Sequence, residues 1–254
     1  MVATILFGLF SMFVVGMANP AFATPVVNGD PKCGSNGCSL EITISGEIDP
    51  STATSVQKLV ALVHSRADQQ KGEVSHIQVL LNSRGGSVTS AISIGRILRK
   101  EEARAIVPDG SICNSACVLI LGGAVTRSFE RIGIHRPYLE TSIGNVSNER
   151  IAQVYQTMLQ EVRAYLREMN VSNQLADAMF NTPPEQVHFL SEAQARNYGL
   201  LQHDPVYKEV QDLRGAKNWG LDRQEYMRRS VLMDRACTPN NFLFDDEGLM
   251  QAFR

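Results

Sequence analysis

Two polar residues sit between cysteines at the start of an apolar run: Cys113-Asn114-Ser115-Ala116-Cys117, followed by Val118 to Ala124 without a charge. A serine at the mouth of a buried helix is placed to act as a nucleophile. The helix N-terminus offers unpaired backbone N–H groups and the positive end of a dipole to a developing oxyanion. The plainer reading is that Ser115 only caps a core helix. Two other stretches bear on the choice. Gly85-Gly86 follows the apolar run Gln78-Val79-Leu80-Leu81, where a backbone without side chains can approach a ligand and present an N–H to it. His135 ends Ile132-Gly133-Ile134, a position from which a general base can be presented at a sheet edge. Taken singly, a glycine pair is ordinary turn chemistry and a histidine at a strand end is an ordinary hydrogen-bonding group.

The elements that must hold these residues follow from hydrophobic period. Leu40, Ile42 and Ile44 alternate with polar residues as a half-buried strand ending at Gly46. A helix is expected from Pro50 to about Arg66, a strand over Gln78–Leu81, and a helix from Val88 to about Glu101. Arg104–Val107 reads as the next strand, and the Ser115 helix then repeats the unit. Short strands are expected near Phe129 and Ile134. A long amphipathic helix from Ser147 to about Asn170 follows, then a break at Thr182-Pro183-Pro184, a strand over Val187–Leu190, and a helix opened by Ser191 and closed by Gly199. Past Asp204 the sequence is polar and charge-mixed, with one helical stretch around Arg223 to Ala236.

Leu81-Asn82-Ser83-Arg84-Gly85-Gly86-Ser87-Val88 resembles the asparagine-serine-proline-glycine-glycine-serine turn of the Clp protease proteolytic subunit family. The Ser115 segment sits where that family has its serine elbow, Ile132 to Pro137 resembles its histidine segment, and Phe189 to Leu200 is similar to its closing stretch. The resemblance implies an α/β fold, the ClpP/crotonase-like superfold of repeated ββα units, here with a C-terminal helical extension. It implies a serine endopeptidase with Ser115 as nucleophile, His135 as base and the N–H groups of Gly86 and Ala116 as oxyanion hole. Arg84 stands where the family has proline, and the family's acidic triad position aligns with Val187. Glu185, two residues earlier, is the candidate acid, with a Ser115–His135 dyad as the alternative.

No charged residue precedes Asp30, and an apolar run from Ile5 to Val15 leads to Ala21-Phe22-Ala23. That is the shape of a secretory signal peptide over 1–23, without its usual basic residue. The expected division is a cysteine-containing segment over 24–39, an α/β domain over 40–204 and an extension over 205–254. A periplasmic or secreted location follows, in the periplasmic branch of the family, with membrane attachment only if the signal is uncleaved. Five cysteines suit an oxidising compartment. Cys33 and Cys38 bracket a short polar turn, and Cys113–Cys117 can close if the chain turns sharply before the helix, leaving Cys237 as the free thiol. No metal-ligand spacing is present, and no cofactor is expected.

Twenty-four Lys and Arg against 26 Asp and Glu give no basic excess, so nucleic acid is not an expected partner. The expected partners are a peptide or unfolded-protein substrate and further copies of the chain, a homo-oligomer built on the long helix. No ATPase is expected where ATP is lacking. The alternative function is a catalytically degenerate binding or structural protein on the same fold; thioester chemistry is disfavoured by export.

Overall fold

The computed structural model describes residues 24–138 and 147–236, so the signal-like segment and Cys237 lie outside the described residues. The chain opens on an antiparallel pair, β1 (Val26–Gly34) and β2 (Gly37–Ile48), in which Cys33 lies opposite Cys38 and the two are joined by a disulfide. Only the alternating centre of β2 was legible in the sequence. β1 contains Gly29 and Pro31, poor strand residues, and forms because it lies at the sheet edge, where a missing N–H is tolerated.

α1 (Pro50–Gln69) starts at a capping box between Asp49 and Thr52 with Pro50 in its first turn. It buries Val56, Val60, Val63 and Ala67 as one stripe. β3 (Val74–Gly86) returns parallel to β2, and α2 (Val88–Lys100), capped by Ser87, leads to β4 (Arg104–Val107). α3 (Ala116–Gly123) and β5 (Thr126–Phe129) complete the repeat, giving four parallel strands, β2 to β5, in sequence order. Every residue of α3 is buried, so its lack of a polar face marks a central helix. A Cβ on Gly123 would lie 2.4 Å from the Gly95 Cα, so α2 and α3 cross backbone to backbone. Tyr165 fills the adjoining space and donates to the Leu119 carbonyl at 2.7 Å.

Beyond β5 come β6 (Gly133–Ile134), α4 (Asn148–Glu168), α5 (Asn173–Asn181), β7 (His188–Phe189), α6 (Glu192–Asn197) and β8 (Gln202–His203). β6 and β7 form a separate antiparallel pair, while β8 closes the main sheet against β5. The chain continues as two helices, α7 (Pro205–Asn218) and α8 (Arg223–Ala236), of which the sequence signalled only the second. Among the described residues no helix is long and apolar enough to cross a membrane.

α7 is tied to the main domain through Asp204, a fully buried carboxylate. Asp204 accepts from the N–H groups of Val206 and Tyr207, caps α7, and pairs with Arg99 at 2.9 Å and with Asn170. Burial alone would raise its pKa; the Tyr207 N–H, Asn170 and Arg99 outweigh that and hold it below the ordinary carboxylate value. The buried guanidinium of Arg127, its pKa brought down to about 10 chiefly by burial, is satisfied by the carbonyls of Gly122, Ala124 and Gly199. Because the folded state binds the Asp204 proton less readily than the unfolded chain, this carboxylate's stabilisation is complete above the unfolded pKa of about 4. It is lost as pH falls through the lower folded value. Asp204→Asn removes the charge that Arg99 faces and is expected to destabilise the fold by about 3 kcal/mol at pH 7. Denaturant melts at pH 7 and pH 3 check it: the gap between parent and variant narrows at the lower pH, and a gap independent of pH contradicts the assignment.

Candidate active site

Residues 112–115 form a strand-like piece bonded on both sides. On the β3 side, Ser83 N–H donates to the Ile112 carbonyl at 2.7 Å and Asn114 N–H to the Ser83 carbonyl at 3.0 Å. On the β6 side, Gly133 N–H donates to the Cys113 carbonyl at 3.1 Å and Ser115 N–H to the Gly133 carbonyl at 2.9 Å. At Ser115 the chain turns at once into α3, with φ 55° and ψ −125°. That conformation is strained for a residue with a Cβ, and a sharp strand-to-helix turn of this kind projects its side chain out of the local structure.

Ser115 stands at the N-cap position of α3, but its side chain makes no capping hydrogen bond, so the plainer sequence reading, in which the hydroxyl caps the helix, is corrected. The N–H groups of the first turn are partly used by the main chain, since Cys117 N–H bonds the Asn114 carbonyl and Val118 N–H that of Ser115. Ala116, the first helical residue, has no carbonyl of the same helix to bond. Cys113 and Cys117 are joined across the elbow, with S–S 2.06 Å and Cα–Cα 5.2 Å.

Gly85 and Gly86 serve two different contacts. A Cβ on Gly85 (φ 111°) would stand 2.8 Å from the Ser115 Cβ and 2.9 Å from the Asn114 carbonyl oxygen. A Cβ on Gly86 (φ 142°) would stand 2.2 Å from the Ile48 carbonyl oxygen, inside the backbone of β2. Ser87 N–H donates to that same Ile48 carbonyl at 2.7 Å, and successive N–H groups of an extended chain point to opposite sides. The Gly86 N–H is therefore turned away from β2. Ser83, fully buried, holds this turn: its hydroxyl donates to the Gly46 carbonyl and accepts from Gly85 N–H at 3.1 Å. Sequence reasoning gave weight to Gly86; the glycine in contact with the elbow is Gly85.

His135 lies two residues past Gly133, the residue bonded to Ser115 N–H, so it stands about 7 Å along the strand from that bond. It is nearly buried, at 8% exposure, as is Ser115 at 4%. Its Nδ1 lies 2.9 Å from the Arg136 carbonyl oxygen. A carbonyl only accepts, so Nδ1 carries the proton and Nε2 of the neutral ring keeps its lone pair. The segment is pinned from outside by Arg136 N–H on the Thr182 carbonyl, by the Tyr155 hydroxyl on the Pro137 carbonyl, and by Tyr138, edge-on to the imidazole at 5.6 Å.

Glu185 is exposed, and no hydrogen bond joins it to His135. The sequence argument placed it on the face of Val187 in an extended segment. Here Gln186 N–H bonds back to the Pro183 carbonyl, so residues 183–186 turn, and β7 begins only at His188. Val187 packs over Gly133, its Cγ1 2.4 Å from where a Cβ would be, and His188 pairs with Gln194. The Arg136 carbonyl as partner of the histidine had no sequence signal, because a main-chain acceptor is the same whatever the residue. Among the described residues no group of His, Cys, Asp and Glu side chains gathers as a metal site.

The Clp protease family model matches residues 39–208. The chain belongs to the Clp protease family. The chain is similar to ClpP1 from Listeria monocytogenes, 21% identical over 63% of this chain and 88% of that one, with a TM-score of 0.46. A mutant of the same Listeria protein aligns at 23% identity with the same coverage and a TM-score of 0.47. A mutant of the 1510-N membrane-bound stomatin-specific protease aligns at 18% identity over 63% of this chain and 75% of that one, with a TM-score of 0.46. No curated protein matches the chain. The family match ends within the first turn of α7, so α8 and most of α7 lie beyond it.

Proposed function

We propose that this member of the Clp protease family is a serine endopeptidase acting outside the cytoplasm, periplasmic or secreted, on peptides or unfolded protein. The observation that carries the reading is the Ser115 backbone. A strained conformation is held at a residue whose hydroxyl caps nothing, where relaxing the strain would stabilise the fold. In the proposed reaction Nε2 of His135 takes the Ser115 hydroxyl proton as Oγ attacks the peptide carbonyl. The N–H groups of Gly86 and Ala116 receive the oxyanion. The protonated histidine then gives its proton to the leaving amine, and a water molecule repeats the sequence on the acyl-enzyme to release the acid. The Arg136 carbonyl holds the histidine tautomer, so the working unit is a Ser115–His135 dyad. The uncharged leader sequence, and disulfides at both cysteine pairs, support export.

A fluorophosphonate probe tests the reading. Labelling at Ser115 alone, blocked by a competing peptide, is the expected result, and a folded protein that never labels belongs to the alternative, a binding protein with a degenerate site. Because Glu185 is exposed and makes no hydrogen bond with His135, Glu185→Gln should leave labelling rate and peptide turnover within about twofold of the parent. A loss of several orders of magnitude would restore Glu185 as the acid of a triad.

A further inference from the structure

The Ser115 elbow lies inside a covalent ring. Cys113 belongs to the strand-like piece, anchored by the Ser83–Cys113 bridge and by Gly133 N–H on its carbonyl, while Cys117 is the second residue of α3. The disulfide therefore joins the last residues of the sheet to the first turn of the helix, and Ser115 is the middle residue of the five it encloses. We propose that this disulfide positions the nucleophile, so that peptidase activity is conditional on the Cys113–Cys117 pair being oxidised; the inference rests on Ser115 being the nucleophile.

A cross-link closing so short a loop restricts the unfolded chain far less than one joining distant segments, so global stability is a poor account of its placement. What it does constrain is the one non-glycine residue of the described site with positive φ. Such a conformation persists only where its surroundings over-determine it. The noncovalent bracing is main-chain: four hydrogen bonds hold residues 112–115 to their neighbours and two more close the first turn of α3, while the side-chain oxygen of Asn114, beside Ser115, is buried without a partner. Reduction by a dithiol breaks the S–S bond, delivers two electrons and two protons to give two thiols, and leaves the reductant as a cyclic disulfide. With the bond broken, the strand end and the start of α3 are no longer tied to each other, and Ser115 between them can relax from its strained conformation. A displacement of about 1 Å at a reacting atom lowers a rate by about a hundredfold. Both cysteines are fully buried, so reduction proceeds through opening of the first turn of α3 rather than at the resting surface. The chain would then be idle in a reducing compartment and competent after oxidation outside it.

The second disulfide, Cys33–Cys38, encloses an edge hairpin turn of similar length and serves as the internal control. The full chain is assayed for peptide turnover and fluorophosphonate labelling before and after dithiothreitol, with released thiols mapped by alkylation and the fold followed by circular dichroism. Expected is a drop in kcat of about a hundredfold once Cys113 and Cys117 are reduced, as alkylation of a separate quenched sample shows, with KM within threefold, an unchanged spectrum, and recovery when the unalkylated protein is reoxidised. A Cys33→Ser/Cys38→Ser variant should respond to dithiothreitol as the parent does, and a Cys113→Ser/Cys117→Ser variant should be slow and indifferent to it. Full kcat with both elbow thiols reduced overturns the proposal, as does a loss of kcat that only follows loss of the folded spectrum. If the serine variant does not fold, the reduced parent carries the test. An oxidised parent that neither labels nor hydrolyses removes the peptidase reading itself, and this inference with it.

Discussion

Ser115→Gly should be more stable than the parent and catalytically dead. The parent holds a residue with a Cβ at φ 55°, ψ −125°, which by itself costs about 1–3 kcal/mol, and glycine adopts that region freely. Against this stands the greater freedom of glycine in the unfolded chain, about 0.5–1 kcal/mol, so a net gain of about 1 kcal/mol and a rise in Tm of roughly 2–4 °C are expected. Turnover should fall by on the order of 10⁴–10⁶, with labelling lost completely. Ser115→Ala separates the two effects. It keeps the strain and, because the hydroxyl caps nothing, should leave stability within about 0.5 kcal/mol while losing the same activity. The cap term of about 1 kcal/mol expected from sequence has no counterpart in the structure. Turnover surviving in either variant would sink the mechanism, whereas a Ser115→Gly protein less stable than the parent would mean that the elbow is not strained.

The parts of this fold legible in sequence were those where one residue pattern maps to one local structure. α1, α2 and α4 announced themselves by a 3.6-residue stripe with a cap at the start, and β4 fell on the four residues expected, Arg104–Val107. β1 was hidden because its residues carry little strand preference and its pairing with β2 is a tertiary fact. α5 and α7 were missed although signals were present: Ser172 ahead of Leu175, Ala176, Met179 and Phe180, and Asp204 ahead of Pro205. The polar and proline-containing neighbourhood of each masks these signals. For the candidate site, Ser115, His135 and the two glycines stand out in the sequence through motif and order, since a chemical group is a property of one residue. Its geometry was not: the Arg136 carbonyl on His135, the turn that takes Glu185 away, and the Gly133 carbonyl on Ser115 N–H depend on where main chain meets main chain. The two cysteines four apart required the sharp turn at Ser115, which the pattern alone left open.

That same contact between turn and elbow sets the other large effect. In Gly85→Ala the added methyl would lie 2.8 Å from the Ser115 Cβ, 2.9 Å from the Asn114 carbonyl oxygen and 3.2 Å from the Ala116 nitrogen, at a φ of 111° that alanine resists. The neighbours are the elbow's own backbone and Cβ, which have no flexible end to swing aside, so the turn and the elbow must move apart by several tenths of an ångström to a full one. This separates Gly86, on the turn, from Ser115 and Ala116, on the elbow, and so pulls the two proposed oxyanion donors apart. Loss of one such donor lowers kcat by about 10²–10³, and misplacement of the nucleophile acts in the same direction, so a fall of about 10³ in kcat with KM within threefold is expected. Stability should drop by about 2–4 kcal/mol from strain and overpacking, leaving a folded protein at 25 °C on which kcat can be measured. Gly86→Ala is the comparison. Its methyl would meet the β2 backbone at 2.2 Å and 2.7 Å, far from the elbow, so it should unfold the chain more than it slows what remains folded. Kinetics on the folded fraction, set by a denaturant melt for each variant, discriminate the two. A Gly85→Ala enzyme with parental kcat would show that the turn and the elbow do not work as one oxyanion site.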